Sequence, residues 1–235
     1  MGRAAVEAVK ATEDMHLVAA VDIGVPPTAL GQAGAQVIVD FTTPDAVMRT
    51  LATCIAEGIH CVVGTTGFTE DKLDQVRGWC DDNPPVGVLI APNFGIGAVL
   101  MMRLAAMAAP YFDSVEIIEM HHPDKVDAPS GTAAHTAALI ARARAGLPPA
   151  PDATVHEMPG ARGASIDGVP VHSVRARGLV AHQEVILGGE GETLTIRHDS
   201  IDRSSFMPGV LLGIREVERH PGLTIGLAEY LDLGA

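Results

Sequence analysis

Two imidazoles, an ammonium, two hydroxyls and a glycine fall within the twelve residues from His121 to Thr132, as His121, His122, Lys125, Ser130, Gly131 and Thr132. Together these groups can give a proton and hold an anion. Imidazole has an unperturbed pKa of about 6.5, so a positioned histidine exchanges protons near neutral pH. Lysine presents a point charge to a carboxylate and, when partly desolvated, a second acid. Pro129-Ser130-Gly131-Thr132 opens an Ala-rich run to Arg144 that is predicted to be helical. The first backbone N–H groups of a helix have no intrahelical partner and face an incoming anion, and glycine keeps such a seat open. Adjacent histidines are commonly surface or capping residues, and it is their company with Lys125 and Ser130-Gly131-Thr132 that favours a catalytic pair. A metal reading of His121, His122, Asp124 and Asp127 is disfavoured, because neighbours on an extended chain point to opposite faces. No metal is expected. His135, His156, His172 and His182 gain no role from their spacing.

The elements that must position this set follow from hydrophobic pattern. Val115-Glu116-Ile117-Ile118-Glu119-Met120 reads as a buried strand, so the histidines emerge where a strand ends. Upstream, to about Met107, short β-branched runs alternate with longer Ala/Leu-rich segments. The runs Leu17–Val21, Val37–Phe41, Cys61–Val63 and Val86–Ile90 are expected strands, with helices between them. Near-continuous apolar strands with helical crossovers imply an α/β fold with a doubly wound parallel sheet. Its ligand crevice lies at the carboxyl ends of the strands. The segments leaving those ends are Asp22-Ile23-Gly24, Phe41-Thr42-Thr43-Pro44, Gly64-Thr65-Thr66-Gly67-Phe68 and Ala91-Pro92-Asn93-Phe94-Gly95. Beyond Tyr111 the rhythm changes. Val171–Arg175, Glu184–Leu187 and Thr193–His198 alternate polar and apolar positions between glycine-rich turns, as in an antiparallel sheet. A second, α+β domain is expected, with Met207–Glu218 forming a helix that returns to the first. The expected division is residues 1–95 with 205–235 against 96–204.

Composition excludes several functions. The 235 residues are 47% hydrophobic, enough to bury a full core, and the net charge is −13. A nucleic-acid partner would need clustered Lys and Arg, so any anionic ligand must be held by a local site. The three cysteines, Cys54, Cys61 and Cys80, form no C-x-x-C pair and fit reduced structural thiols. No apolar run approaches the roughly 20 residues of a spanning helix, and the N-terminus lacks the order of a signal peptide. A soluble cytoplasmic protein, with no membrane partner, is the expectation.

In dinucleotide-binding folds an acidic residue about 20 positions after the last glycine of the phosphate loop takes the ribose hydroxyl. Asp22 stands 20 residues after Gly2. If Gly2 is that last glycine, Arg3–Lys10 is the crossover helix of an opening βαβ unit whose first strand belongs upstream of Met1. The rival reading is that Asp22 only caps a turn. Gly64-Thr65-Thr66 likewise has the alternative of an ordinary strand-to-helix turn with a threonine cap.

The motif His121-His122-x-x-Lys125-x-Asp127-Ala128-Pro129-Ser130-Gly131-Thr132-Ala133 resembles that of the 4-hydroxy-tetrahydrodipicolinate reductase (dihydrodipicolinate reductase) family of lysine and diaminopimelate biosynthesis. The resemblance extends through Asp40-Phe41-Thr42-x-Pro44, Gly64-Thr65-Thr66-Gly67, Ala91-Pro92-Asn93-Phe94, Arg175-x-Arg177-Gly178 and His198-x-x-x-x-Arg203-x-x-Phe206. Only the front departs: the family opens with a strand and a Gly-x-x-Gly-x-x-Gly loop, of which Met1-Gly2-Arg3 resembles the tail. A late start or a truncated front is the expected reason for that departure. The resemblance implies a cytoplasmic homotetramer that uses NADH or NADPH on a cyclic dicarboxylate. It implies that His121 is proton donor and acceptor, that Lys125 is a second donor, and that His122, Gly131 and Thr132 bind substrate. Asp22, Gly64, Thr65, Thr66, Ala91, Pro92, Asn93 and Phe94 would line the dinucleotide. Because Ile23 and not an arginine follows Asp22, the ribose end leans towards NADH. Two alternatives remain at this point: a non-catalytic dinucleotide or dicarboxylate sensor, and a dehydrogenase of another small dicarboxylate.

Overall fold

The computed structural model describes residues 1–22, 25–83 and 85–232. Ile23 and Gly24 of the first expected crevice segment lie outside the described residues. In chain order the elements begin with α1 (Gly2–Lys10), α2 (Thr28–Gln32), β1 (Val37–Asp40), α3 (Val47–Ala56), β2 (His60–Val63), α4 (Glu70–Asp81), β3 (Gly87–Ile90) and α5 (Ile96–Ala108). They continue with β4 (Ser114–His121), α6 (Gly131–Ala143), β5 (Ala164–Ile166), β6 (Val169–Arg175), β7 (Ala181–Gly189), β8 (Glu192–Ser200), α7 (Met207–Glu216) and β9 (Gly222–Ile225). The chain forms two compact units, Met1–Ile96 with Arg203–Ala235, and Gly97–Asp202.

The first unit is built on a parallel sheet of order β1-β2-β3-β9. Every residue of β3 is buried, as expected for an apolar strand covered on both faces. Its core packs Ile38, Cys61, Val63, Val88 and Ile90 of the sheet against Leu51 and Ile55 of α3 and Leu73 and Val76 of α4. Thr69 caps α4 by accepting the Lys72 N–H, and Glu70 and Asp71 complement the positive helix start. Gly87 admits no side chain, because a Cβ there would collide with the Val217 carbonyl oxygen. That close approach seats β9 beside β3.

One expected strand is corrected. Leu17–Val21 belongs to neither sheet. Leu17 and Ala19 are half-buried and Val18 and Ala20 exposed, but Val21 breaks the alternation at 45% exposed, and among the described residues the segment has no ladder partner. A period-2 pattern reports one buried face; it does not supply the second backbone that a strand must bond.

The second unit carries a five-stranded sheet of order β5-β6-β4-β7-β8, in which β4 and β6 are parallel and every other pair antiparallel. Helix α6 supplies Ala133, Ala137 and Ile140 to a core with Val115 and Ile117 of β4, Val171 of β6, and Val185 and Leu187 of β7. The small alanines let the helix lie close over the strands. Asp167 and Gly168, with φ of 49° and 84°, form the two-residue turn between β5 and β6. Asp-Gly is a favoured pair where both positions need positive φ.

Candidate active site

Strand β4 sets the geometry. Its burial alternates so that Val115, Ile117 and Glu119 face the core, and His121 ends the strand with the same parity. Glu119 is fully buried, so its charge must be matched locally. Arg175, the last residue of β6 and the register partner of His121, meets it with a two-pronged bond. Arg175 Nη1 donates to Glu119 Oε2 and Nη2 to Oε1, each at 2.8 Å. Oε1 also accepts the Ser130 N–H at 3.2 Å, and Oε2 lies 2.6 Å from His121 Nδ1. Burial pushes the Glu119 carboxyl up, but hydrogen bonds from Arg175, Ser173 and His121 outweigh it and hold the group below its ordinary value. Glu119 is therefore an anion, and His121 Nδ1–H is the donor to it. In that tautomer Nε2 of His121 carries the lone pair and is the nitrogen able to take up a proton.

Burial is also the largest influence on His121 and lowers its pKa; the Glu119 hydrogen bond and charge oppose this, and the charges of Lys125 and Arg175 add to the lowering. The balance falls below the ordinary imidazole value, so the free protein keeps a neutral ring at neutral pH. A dianion placed nearby would favour the imidazolium.

The loop from His122 to Ser130 completes the set. Lys125 turns back on the loop, its N–H donating to the His122 carbonyl at 3.3 Å, and its Nζ lies 2.7 Å from Asp127 Oδ1. Lys125 foremost, together with the Gly131 N–H, holds the Asp127 carboxyl below its usual range. Arg175 Nη2 donates to the Asp127 carbonyl at 2.7 Å and so pins the loop's main chain. Ser130 caps α6 by accepting the Ala133 N–H at 3.2 Å, which directs Gly131 and Thr132 into the helix's first turn. Gln183 of β7 donates to the Thr136 hydroxyl, which donates to the Thr132 carbonyl, fastening that turn to the sheet. The structure thus gathers His121, Lys125, Gly131 and Thr132 around one loop, while the His122 side chain is exposed. Among the described residues no three His, Cys, Asp or Glu side chains cluster to hold a metal.

Glu119 and Arg175 escaped the sequence reading as functional residues. A signal existed for the first: a glutamate at the core-facing parity of an apolar strand needs a partner. The partner, 56 positions away, follows only from the β4–β6 pairing.

In the first unit, the loops after β1, β2 and β3 are tied together. Asp40, 4% exposed, accepts the Thr42 N–H at 2.9 Å and the Thr42 and Thr65 hydroxyls at 2.8 Å each. The Phe41 and Phe94 rings meet edge to face, 5.8 Å between centroids, over Gly64, where a Cβ would strike the Phe41 ring. Thr65, Ala91 and Phe94 have buried side chains, so any contact they make with a ligand comes through the backbone, whereas Thr66 and Pro92 are exposed. Asp22 is exposed and lies outside the sheet. Small residues with backbone donors at the carboxyl ends of parallel strands fit a dinucleotide. Asp40, whose hydrogen bonds order two of these loops, had no role assigned from sequence.

Comparison with known proteins decides the family. A model described as Dihydrodipicolinate reductase, N-terminus, matches residues 1–94, and one described as Dihydrodipicolinate reductase, C-terminus, matches residues 97–231. This chain belongs to the dihydrodipicolinate reductase family. It is 63% identical over 235 residues to 4-hydroxy-tetrahydrodipicolinate reductase of Streptomyces avermitilis, covering 99% of this chain and 94% of that one. The reductase of Mycolicibacterium gilvum is 60% identical over 233 residues, covering 99% and 95%. Dihydrodipicolinate reductase from Paenisporosarcina sp. TG-14, solved with dipicolinate bound, superimposes with a TM-score of 0.88 at 42% identity, covering 98% of this chain and 95% of that one. Within the reductase family, the α/β fold with a parallel sheet in one unit and a mainly antiparallel sheet in the other is as the sequence pattern implied. Among the described residues no helix is long and apolar enough to cross a membrane.

Proposed function

We propose that this chain reduces 4-hydroxy-tetrahydrodipicolinate to tetrahydrodipicolinate in lysine and diaminopimelate biosynthesis, as an NAD(P)H-dependent oxidoreductase with His121 as its proton donor. The observation that carries the assignment of His121 is its 2.6 Å bond to the buried Glu119, which fixes the ring and its tautomer.

The unit containing the parallel sheet takes the dinucleotide, through Asp22, Gly64-Thr65-Thr66 and Ala91-Pro92-Asn93-Phe94. When bound, the nicotinamide supplies the hydride for a ring carbon of the substrate. The chain's own residues do the rest. Lys125 offers its ammonium to one substrate carboxylate and stands as a second proton donor; Gly131 and Thr132 offer backbone N–H groups and a hydroxyl, and His122 a further donor. The dianion raises the His121 pKa, and the imidazolium so formed gives its Nε2 proton to the substrate as water leaves and the ring is reduced. Glu119 keeps the resulting neutral ring in the tautomer that can be reprotonated at Nε2. NADH is favoured over NADPH because no arginine follows Asp22. A homotetramer in the cytoplasm completes the reading. Strand β8 leaves most of its residues exposed, so a partner subunit has sheet surface to cover. The sensor alternative loses force beside a buried ion pair that orients an acid, a device that binding alone does not need.

The test is NADH oxidation with substrate generated in place by the preceding synthase. The unmodified chain turns over, and His121→Ala lowers kcat by about two orders of magnitude or more with nucleotide affinity unchanged. Equal turnover in the two proteins would remove His121 from the mechanism.

A further inference from the structure

One group proposed to receive a substrate carboxylate already holds one that belongs to the chain. Asp127 Oδ1 is 2.7 Å from Lys125 Nζ. In the ligand-free protein that ammonium is thus matched by an internal anion. The two carboxylates of this region differ in how firmly they are kept. Glu119 has no exposed side-chain surface, whereas the side chain of Asp127 is 48% exposed, so Asp127 can turn into water without opening the core. Its main chain stays in place when it does, because Arg175 holds the carbonyl and not the carboxylate.

We propose that Asp127 is a stand-in for a substrate carboxylate, which occupies Lys125 until a dicarboxylate ring displaces it. This inference rests on the reading that Lys125 binds a substrate carboxylate. An internal carboxylate competes intramolecularly, so a free acid must overcome its effective concentration. An incoming acid gains by engaging more groups than Lys125, and the ring does so by placing its second carboxylate and its ring atoms on others. Asp127 then sets the affinity and favours dianionic ligands over monoanionic ones. The charged groups around the displaced position are Lys125, His121, Arg175 and Glu119 from β4, β6 and the loop, with Asp124 on the loop itself. Leaving the site costs the aspartate one partly exposed ion pair.

The probe is pyridine-2,6-dicarboxylate, titrated calorimetrically into the full-length chain and its Asp127→Asn and Asp127→Ala variants, with picolinate, the monocarboxylate, in parallel. Removal of one partly exposed ion pair from the competition tightens dicarboxylate binding by about two- to fivefold in Asp127→Ala. Asp127→Asn, which loses the charge and keeps an acceptor, falls between that variant and the unmodified chain. Picolinate gains more than the dicarboxylate does, so discrimination narrows. Weaker or unchanged dicarboxylate binding in both variants would overturn the inference and make Asp127 a positioning residue, while leaving the function intact. No binding by any of the three proteins would overturn it together with the reading beneath it. The Arg175 bond to the main chain keeps the loop anchored in both variants, and a thermal melt of each protein confirms folding before titration.

Discussion

Replacing Glu119 by glutamine separates the acid's orientation from its presence. Glutamine has the same shape and no charge, and one of its two head atoms is a donor. Each carboxylate oxygen of Glu119 faces donors only: Arg175 Nη2 and the Ser130 N–H at Oε1, Arg175 Nη1 and His121 Nδ1 at Oε2. Whichever way the amide turns, its NH2 confronts an Arg175 N–H donor, joined on one side by the Ser130 N–H, and the Arg175 guanidinium loses its counter-charge. Breaking a buried pair from one side costs roughly 3–5 kcal/mol. Arg175 keeps 20% of its side-chain surface exposed, so the lower end applies, about 3 kcal/mol. At roughly 2–4 °C per kcal/mol for a chain of this size, the melting temperature falls by about 6–12 °C. A domain stable by about 5–15 kcal/mol remains folded at room temperature, so activity can be read. With NH2 at the histidine side, Nδ1 becomes the acceptor, the neutral ring carries its proton on Nε2, and the imidazolium is no longer stabilised by a carboxylate. The expected fall in kcat is on the order of 10²-fold or more, within the range that general acid catalysis contributes. The Michaelis constant for NADH should stay put. The assay is steady-state NADH oxidation with a thermal melt of the same preparation, and Glu119→Asp, which keeps the charge on a shorter arm, recovers part of both losses. A variant with a lowered melting temperature and undiminished kcat would refute the orienting role and leave Glu119 a structural ion. One with neither change would refute the buried pair itself.

Lys125→Ala should raise the substrate Michaelis constant as well as lower kcat if its ammonium serves both binding and proton supply, as proposed; an unchanged Michaelis constant would restrict it to donation. Binding of pyridine-2,6-dicarboxylate should take up protons near neutral pH. Burial, foremost, sets the His121 pKa of the free protein below its ordinary value despite Glu119, and an adjacent dianion raises it. Between those two values the complex holds a proton that the free protein lacks, so affinity rises as pH falls through the window. Titration in two buffers of different ionisation enthalpy reads the uptake, and identical heats in both would count against it.

How much of this was legible beforehand depends on the range of the interaction. Periodicity and turn chemistry are local, and the strands ending at Asp40, Val63, Ile90 and His121, with the capped start of α6, follow from them. The turn at Asp167-Gly168 was readable by the same rule. Leu17–Val21 shows the limit: its alternation is real as far as Ala20, yet a strand is a relation between two backbones, and one segment's pattern cannot guarantee a partner. Strand β9 fails in the opposite sense. Gly222-Leu223-Thr224-Ile225 is too short to announce itself, and it is placed by β3 and by the missing side chain of Gly87. The chemistry-bearing residues of the His121–Thr132 stretch were visible by type, but what organises them was not, because Glu119 reads as one polar letter in an apolar run until β6 brings Arg175 beside it.

The site's two acidic side chains show why residue type alone could not assign these roles. Glu119 and Asp127 carry the same charge, both meet cations, and Arg175 touches both residues. What separates them is water. A carboxylate with no exposure cannot leave without stranding a guanidinium, so Glu119 acts through what it holds still: the ring of His121, the cap of α6 through the Ser130 N–H, and the Arg175 fork. A half-exposed carboxylate has solvent as an alternative partner, so Asp127 can be exchanged for a ligand at modest cost. Arg175 joins the two by fixing the Asp127 main chain through the same Nη2 that bonds Glu119. The proposed proton donor and the proposed anion seat are thereby built on one buried ion pair, and the proposed displaceable carboxylate hangs from that pair by its backbone. On this proposal a ligand that expels Asp127 leaves the orientation of His121 undisturbed, and the charge it brings raises the ring's pKa so that the ring takes a proton from solvent.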